Sequence, residues 1–337
     1  MMEEGKESMR KYDFWEEPED RKLEMYNEIY DKIHVSPKAA EKDWWVCHVI
    51  HAIFSLTCAE ALTFKGGTSL SKAWDITRRF SEDVDISFDK SFFGLEGGTR
   101  SQRDRIRKLT RSYIENEMAR ELAVTLKVIG GWESEVKVKH RNDSDADPTV
   151  LIIPYHSLLP EDDYIKGEVK VEFSCRSPRE PRELRKIEPF AVQLSPLIDY
   201  PDTCIPTVSP TRTFLEKVFL LHEEFQKNYP RYKRMSRHLF DLYRLDKTGF
   251  AEKAMADTAL YQSLVEHRRV FNAMRGIDYS RHTPENLSIL PPEDVLPLWK
   301  EDYEMMQNKF IYGDSPSFKE LMKHLTALQE RLRAIQL

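Results

Sequence analysis

The 337-residue sequence contains no run of about 18 apolar residues, the length that a membrane-spanning helix needs. Its opening, MMEEGKESMRKYDFWEEPED, holds no apolar stretch of the kind that directs export. A cytoplasmic chain with no membrane partner is the expectation. Cysteine is sparse: Cys47, Cys58, Cys175 and Cys204 show no CxxC spacing, which speaks against a disulfide framework or a zinc ribbon and for reduced, mostly buried thiols. Cys47, His51 and Cys58 share a helical face, but an apolar one, which is poor ground for zinc. Positive charge is short as well. At a formal net charge of -6 the chain is not coated for polyanions, so any nucleic acid must be met by a local patch. There is no internal repeat and no low-complexity tract; the GK[ST] ending of a Walker A loop is missing, and LHEEFQ lacks the second histidine of HExxH. A 40% hydrophobic and 32% charged composition leaves a soluble globular protein of one large domain or two ordinary ones.

The pattern predicts an α+β chain. Residues 1–20 read as a loose acidic tail before a helix near 21–33, giving a first segment of 1–35. Ser36 and Pro37 then open a helix whose apolar spacing runs to Ala59, feeding a short strand at 61–64. After Gly66 and Gly67 a short helix starts in the Thr68/Ser69 region; DVDISF is a strand, and residues 101–123 form a charged helix. Strand-like runs follow at 123–129, 133–140 and 149–155. KGEVKVEFSCRS alternates, with Glu168, Lys170, Glu172 and Ser174 on one face and Val169, Val171, Phe173 and Cys175 on the other. No convincing strand appears after 195, and from 206 the period is helical, so a core of 36–205 is followed by a helical domain of 206–337, with the boundary in DYPDTCIPTVSP.

The chemistry concentrates in TFKGGTSLSKAWDITRRFSEDVDISFD. Asp83 and Asp85 stand two apart on a strand, so both carboxylates leave one face. Such a pair is tolerated with a cation between, and hard oxygen ligands favour magnesium. An ordinary solvated strand face reads the same way. The glycine pair between strand and helix offers bare amides and a helix amino end to phosphate, with a Thr or Ser hydroxyl in reach; a plain turn is the other reading. Glu172, on its own alternating strand, joins the aspartates if the strands are neighbours, or else belongs to an amphipathic edge strand. Three carboxylates beside a phosphate loop would form a two-metal phosphoryl-transfer site.

Taken in order, KGGTSLSK, RFSEDVDISF, the lead-in EKDWWVCHVI and the later TFLEKVFLLHEEF and SRHLFDLYRL resemble the AbiEii/AbiGii toxin family of nucleotidyltransferases, within the DNA polymerase beta-like superfamily. The likeness spans about residues 36–245. It implies a polymerase beta-like core with a mixed sheet, followed by a helical C-terminal domain. By the same resemblance Gly66, Gly67, Thr68 and Ser69 engage an NTP triphosphate, Asp83 and Asp85 bind Mg2+, Glu172 is the third carboxylate, and Lys217 and Asp241 match later motif positions. Arg79 precedes FSED as in the family, to meet phosphate or to lie on the surface. One position departs: His238 stands where the family has aspartate.

The residues around Lys217 speak independently. Phe214, Leu215, Val218, Phe219, Leu220 and Leu221 surround it, so the lysine is expected to be buried and to need a counter-charge, from Asp241, another carboxylate or a nucleotide phosphate. A structural ion pair, or a snorkelling lysine beside Glu216, satisfies the same pattern. Basic clusters at 100–111, 176–186 and 231–237, with Tyr232 for stacking, are either RNA contacts or solvated helix faces. The reading is a magnesium-dependent nucleotidyltransferase moving NMP from an NTP to a hydroxyl, with the resemblance implying a toxin with a cognate antitoxin, or phage defence, and the tRNA 3′ end as acceptor. Transfer to a protein or small molecule, and a catalytically inactive nucleotide- or RNA-binding module, stand as alternatives.

Overall fold

Alternating β-branched and polar residues, set between loops, produce one mixed sheet in the computed structural model, which describes residues 11–95, 99–130, 132–139, 148–160, 164–175 and 181–337. Its strands are β1 (Leu62–Lys65), β2 (Asp83–Phe88), β3 (Lys137–Val138), β4 (Thr149–Pro154), β5 (Glu168–Ser174), β6 (Arg182–Lys186) and β7 (Cys204–Val208), in the order β3-β4-β5-β2-β1-β7-β6. At the centre β2 runs antiparallel to β1 and parallel to β5, while β7 lies parallel to β1 on its other side.

The helices in chain order are α1 (Glu19–Ile33), α2 (Pro37–Ile53), α3 (Gly66–Lys72), α4 (Arg100–Tyr113), α5 (Ala119–Gly130), α6 (Phe190–Leu194), α7 (Pro210–Glu224), α8 (Ser236–Lys247), α9 (Phe250–Ala256), α10 (Thr258–His267), α11 (Leu296–Lys309) and α12 (Phe318–Arg333). Val169, Val171 and Phe173 of β5 point into one core with Val49 and Ile53 of α2 and Leu122 and Leu126 of α5. A second core joins α7 through α12 and takes in Leu70 and Ile76 from the chain after β1. The polar side of β2 and β5 therefore faces a cleft whose far wall is α7, α8 and α10. An α+β fold with a helical C-terminal part is what the pattern predicted, and a mixed sheet is what the resemblance implied.

Five local expectations are corrected. Residues 11–18 are anchored rather than loose: the Tyr12 N–H donates to the Leu197 carbonyl at 2.9 Å, and Phe14 is buried beside Tyr26 and Trp44. Residues 1–10 of the expected tail lie outside the described residues. Ser36 caps α2 by accepting from the Ala39 N–H at 3.3 Å, but the helix stops at Ile53, because Glu121 accepts from both the backbone and the hydroxyl of Thr57 and fixes a turn there. The run 123–129 is helical. Its β-branched letters suggested a strand, yet Leu122 and Leu126, four apart, bury on α2 while Val124 and Val128 are exposed, and packing overrides propensity. Finally, β7 is a strand within the segment read as a boundary, so the helical part begins after Val208; Pro206 had broken its pattern. The run 133–140 is a strand at Lys137–Val138 only, and residue 140 lies outside the described residues.

Candidate active site

The floor of the cleft is built by strand register. Asp83 and Asp85 leave the same face of β2, and the parallel pairing sets Asp85 beside Glu172 and Asp83 beside Lys170 of β5. Lys65, the last residue of β1, flanks Asp85 on the other side. Lys170 donates to Glu172, and its Nζ lies 3.6 Å from Asp83 Oδ1; Arg237 approaches Asp83 Oδ2 at 3.8 Å from α8. Burial, helped by the neighbouring Glu172 and Asp83 charges, raises the Asp85 carboxyl to about 6 against the pull of Lys65 and Arg237. The donor chemistry fits a divalent cation, being three hard carboxylates side by side with one resisting ionisation. As the side chains stand, however, no three His, Cys, Asp or Glu groups among the described residues converge to hold a metal ion, since Lys170 lies between Asp83 and Glu172.

The glycine pair has a geometric reason. Gly66 sits at φ +83°, and a Cβ there would lie 2.1 Å from Asp85 Oδ2; one on Gly67 would lie 2.6 Å from Nη2 of Arg79. The loop is pressed directly onto the carboxylate floor. Gly66→Ala is expected to cost at least about 2 kcal/mol, from the left-handed backbone plus the clash. Thermal unfolding, with NTP binding followed in parallel, would check it; an unshifted midpoint would refute the close approach. Thr68 and Ser69, expected to put their hydroxyls on a triphosphate, turn them inward. The Thr68 hydroxyl donates to the Asp83 and Ser81 carbonyls and that of Ser69 to the Gly66 carbonyl at 2.9 Å, and both residues are buried. These side chains tie α3 to β2 and fix the loop's shape.

Behind the loop lies a buried network. Arg79 grips Asp241 with two bonds, Nε to Oδ1 at 2.7 Å and Nη2 to Oδ2 at 2.8 Å, and Lys217 Nζ reaches Oδ2 at 2.8 Å. Asp241 thus supplies the counter-charge that the apolar helix around Lys217 demanded, and Arg79 is a buried residue. Burial raises a carboxyl, but Arg79 and Lys217 together hold Asp241 well below the usual carboxylate range. Burial, with Arg79 and Arg237, pulls the Lys217 ammonium below its ordinary value despite Asp241. His238 faces the same lysine, Nδ1 to Nζ at 3.4 Å, and burial beside Lys217 keeps the imidazole neutral.

The cleft encloses about 520 Å³ and is lined by Lys65, Gly66, Gly67, Asp83, Asp85, Lys170 and Glu172 on the sheet side, and by Lys217, Arg231, Arg237, His238 and Arg268 on the helical side. An acidic floor thus faces a largely basic wall. Lys65, Lys170 and Arg237 were not singled out from the sequence, although Lys170 shares the alternating face with Glu172 and Lys65 adjoins the glycine pair. Among the described residues, Arg237 Nε is buried without a hydrogen-bond partner. Of the basic clusters, 100–111 lies on α4, where Arg105 and Lys108 are exposed while Arg107 pairs with Asp104 and Arg111 with Glu115. In 231–237, Arg231 is drawn to Glu224 and Arg234 to Glu82, and Tyr232 packs partly against the helical core. Residues 176–180 lie outside the described residues. Cys47 and Cys58 are buried in the sheet core, Cys175 is buried and Cys204 is exposed. Among the described residues no helix is long and apolar enough to cross a membrane.

No curated protein matches the chain. Among solved structures it is similar to MenT4, a nucleotidyltransferase toxin from Mycobacterium tuberculosis, with 16% identity, 94% of this chain and 99% of that one covered, and a TM-score of 0.43, a likeness too distant to speak for the site. Residues 53–324 match the family described as "Nucleotidyl transferase AbiEii toxin, Type IV TA system", a span that takes in the carboxylate floor, the glycine loop and the Lys217–Asp241 wall. The chain is therefore a nucleotidyltransferase of the AbiEii toxin family of type IV toxin–antitoxin systems.

Proposed function

We propose that this nucleotidyltransferase works with magnesium, takes an NTP into the cleft, and transfers its nucleoside monophosphate to the 3′ hydroxyl of tRNA, releasing pyrophosphate. The observation that carries the reading is the register that places Asp85 beside Glu172, next to Asp83 and across the cleft from Lys217 and Arg237. Asp83, Asp85 and Glu172 would hold the metal, which when bound activates the attacking hydroxyl and neutralises charge on the triphosphate. Gly66 and Gly67 bring backbone to the floor with no side chain in the way. Lys217, held by Asp241, and Arg237, whose buried Nε has no hydrogen-bond partner among the described residues, would receive phosphate oxygens. The acceptor oxygen bonds to the α-phosphorus as the bond to the bridging oxygen breaks, and the hydroxyl proton passes to the carboxylate floor or to water.

The exposed Arg105 and Lys108 of α4 give the acceptor's backbone a local patch on a chain whose net charge is negative. A cognate antitoxin is the partner that the family implies. Purified protein, Mg2+, each α-labelled NTP in turn and total tRNA, run beside Asp83→Ala, test the reading. Label on tRNA from one NTP, lost in Asp83→Ala, is expected. Label on protein or a small molecule would replace the acceptor; absence of transfer together with absence of NTP binding would favour an inactive module.

A further inference from the structure

We infer that Lys170 is a built-in counter-ion that occupies the carboxylate floor until a divalent cation displaces it, so that metal loading is coupled to nucleotide binding. The inference rests on the proposed metal role of Asp83, Asp85 and Glu172. Its own ground is different: the position of one side chain. The alternation of β5 puts Lys170 on the face that carries Glu172, and the pairing with β2 puts it directly beside Asp83. From there its ammonium donates to Glu172 and stands 3.6 Å from Asp83, taking oxygens from two of the three carboxylates. Asp85 is flanked by Lys65 and is not within salt-bridge reach of Lys170.

An ammonium and a divalent cation cannot share these oxygens, because the two positive charges would lie within a few ångströms of each other at low effective dielectric. Lysine suits such a temporary post better than arginine: its charge is compact, it makes no fixed planar fork, and a flexible four-carbon stem lets it swing away. Its side chain is 31% exposed, so a way out to water exists. Arg237 reaches the other oxygen of Asp83 from the opposite wall, at 3.8 Å, and would stay behind for the triphosphate. The nucleotide brings several negative charges with its metal, which offsets the loss of Lys170 from the floor and ties the two binding events together.

Manganese titration followed by electron paramagnetic resonance, with and without a non-hydrolysable NTP analogue, tests this on the wild type, Lys170→Met, Lys170→Gln and Asp83→Ala. Both Lys170 variants are expected to bind Mn2+ at least about tenfold more tightly than wild type without nucleotide, and to lose most of the tightening that the analogue gives wild type. A merely structural lysine would leave affinity unchanged or weaken it. Unchanged or weaker binding in both folded variants, with Asp83→Ala still losing metal, overturns the inference while leaving the metal site standing. If wild type and variants alike bind the analogue but no Mn2+, the metal reading itself fails and the inference goes with it.

Discussion

Asp241→Asn should lower stability at pH 7 by about 3–5 kcal/mol and abolish transfer, because it leaves the Arg79 guanidinium and the Lys217 ammonium buried with no anion between them. The carboxylate has no exposure to water and spends both oxygens on cations. Urea unfolding at pH 7 measures the loss. Adding Lys217→Met to Asp241→Asn removes one of the stranded charges and should recover at least half of it, a coupling that a double-mutant cycle reports directly. Additive losses would mean that Asp241 acts through packing and not charge. The pH dependence follows in sign. Asp241 is depressed in the folded state, so its contribution is fully present above the ordinary aspartate value near 4 and is lost as pH falls through its own lower value. The variant should lack that part of the acid limb.

Asp85→Asn has the opposite effect on stability. Transfer is expected to fall by at least about a thousandfold, since a carboxylate of the floor is gone, yet the protein without metal should become more stable by about 1–2 kcal/mol at pH 7. The folded carboxyl is raised from 3.8 to about 6, so folding favours the protonated form, and stability from this group falls as pH rises between those values. A displacement of that size corresponds to roughly 3 kcal/mol at most, reduced by the partial exposure of the side chain. Asparagine removes the penalty. Thermal unfolding should show the variant ahead at pH 7 and level with wild type near pH 4. A variant less stable than wild type at pH 7 would show that Asp85 is held as a carboxylate by favourable contacts, and the strained floor would have to be given up.

Much of this is legible in the sequence alone, where chemistry is local. Ser36 and Pro37 announce α2, EVKVEFS announces a strand with one polar face, and Asp83 and Asp85 declare their common side by a spacing of two. What stayed hidden depends on contacts between distant residues. Nothing in the sequence states that β5 pairs parallel to β2 in the register that sets Glu172 beside Asp85 and Lys170 beside Asp83. Arg79 reads as well for a surface residue as for a buried one until Asp241, 162 positions later, is seen on its guanidinium. Thr68 and Ser69 carry the right hydroxyls, but only the fold shows that backbone carbonyls claim them first. The helical course of 123–129 depends on α2 being there to receive Leu122 and Leu126.

The short junction between β7 and α7 bears on how this enzyme can vary. Val208 ends the strand beside β1, Pro210 begins the helix that bears Lys217, and Ser209 alone separates them, accepting from the Thr211 N–H at 3.3 Å. Proline just inside the helix fixes its departure angle. The span from the glycines to the lysine is thus set by the pairing of β1 with β7 and a one-residue junction, as on a ruler with no sliding part. Damage to α11 or α12, which pack on α8, would leave the foot of α7 where β7 sets it and reach Lys217 only through Asp241, the α8 carboxylate that holds its ammonium. Such variants would keep the reach from the glycines to α7 and differ in how firmly its lysine is held.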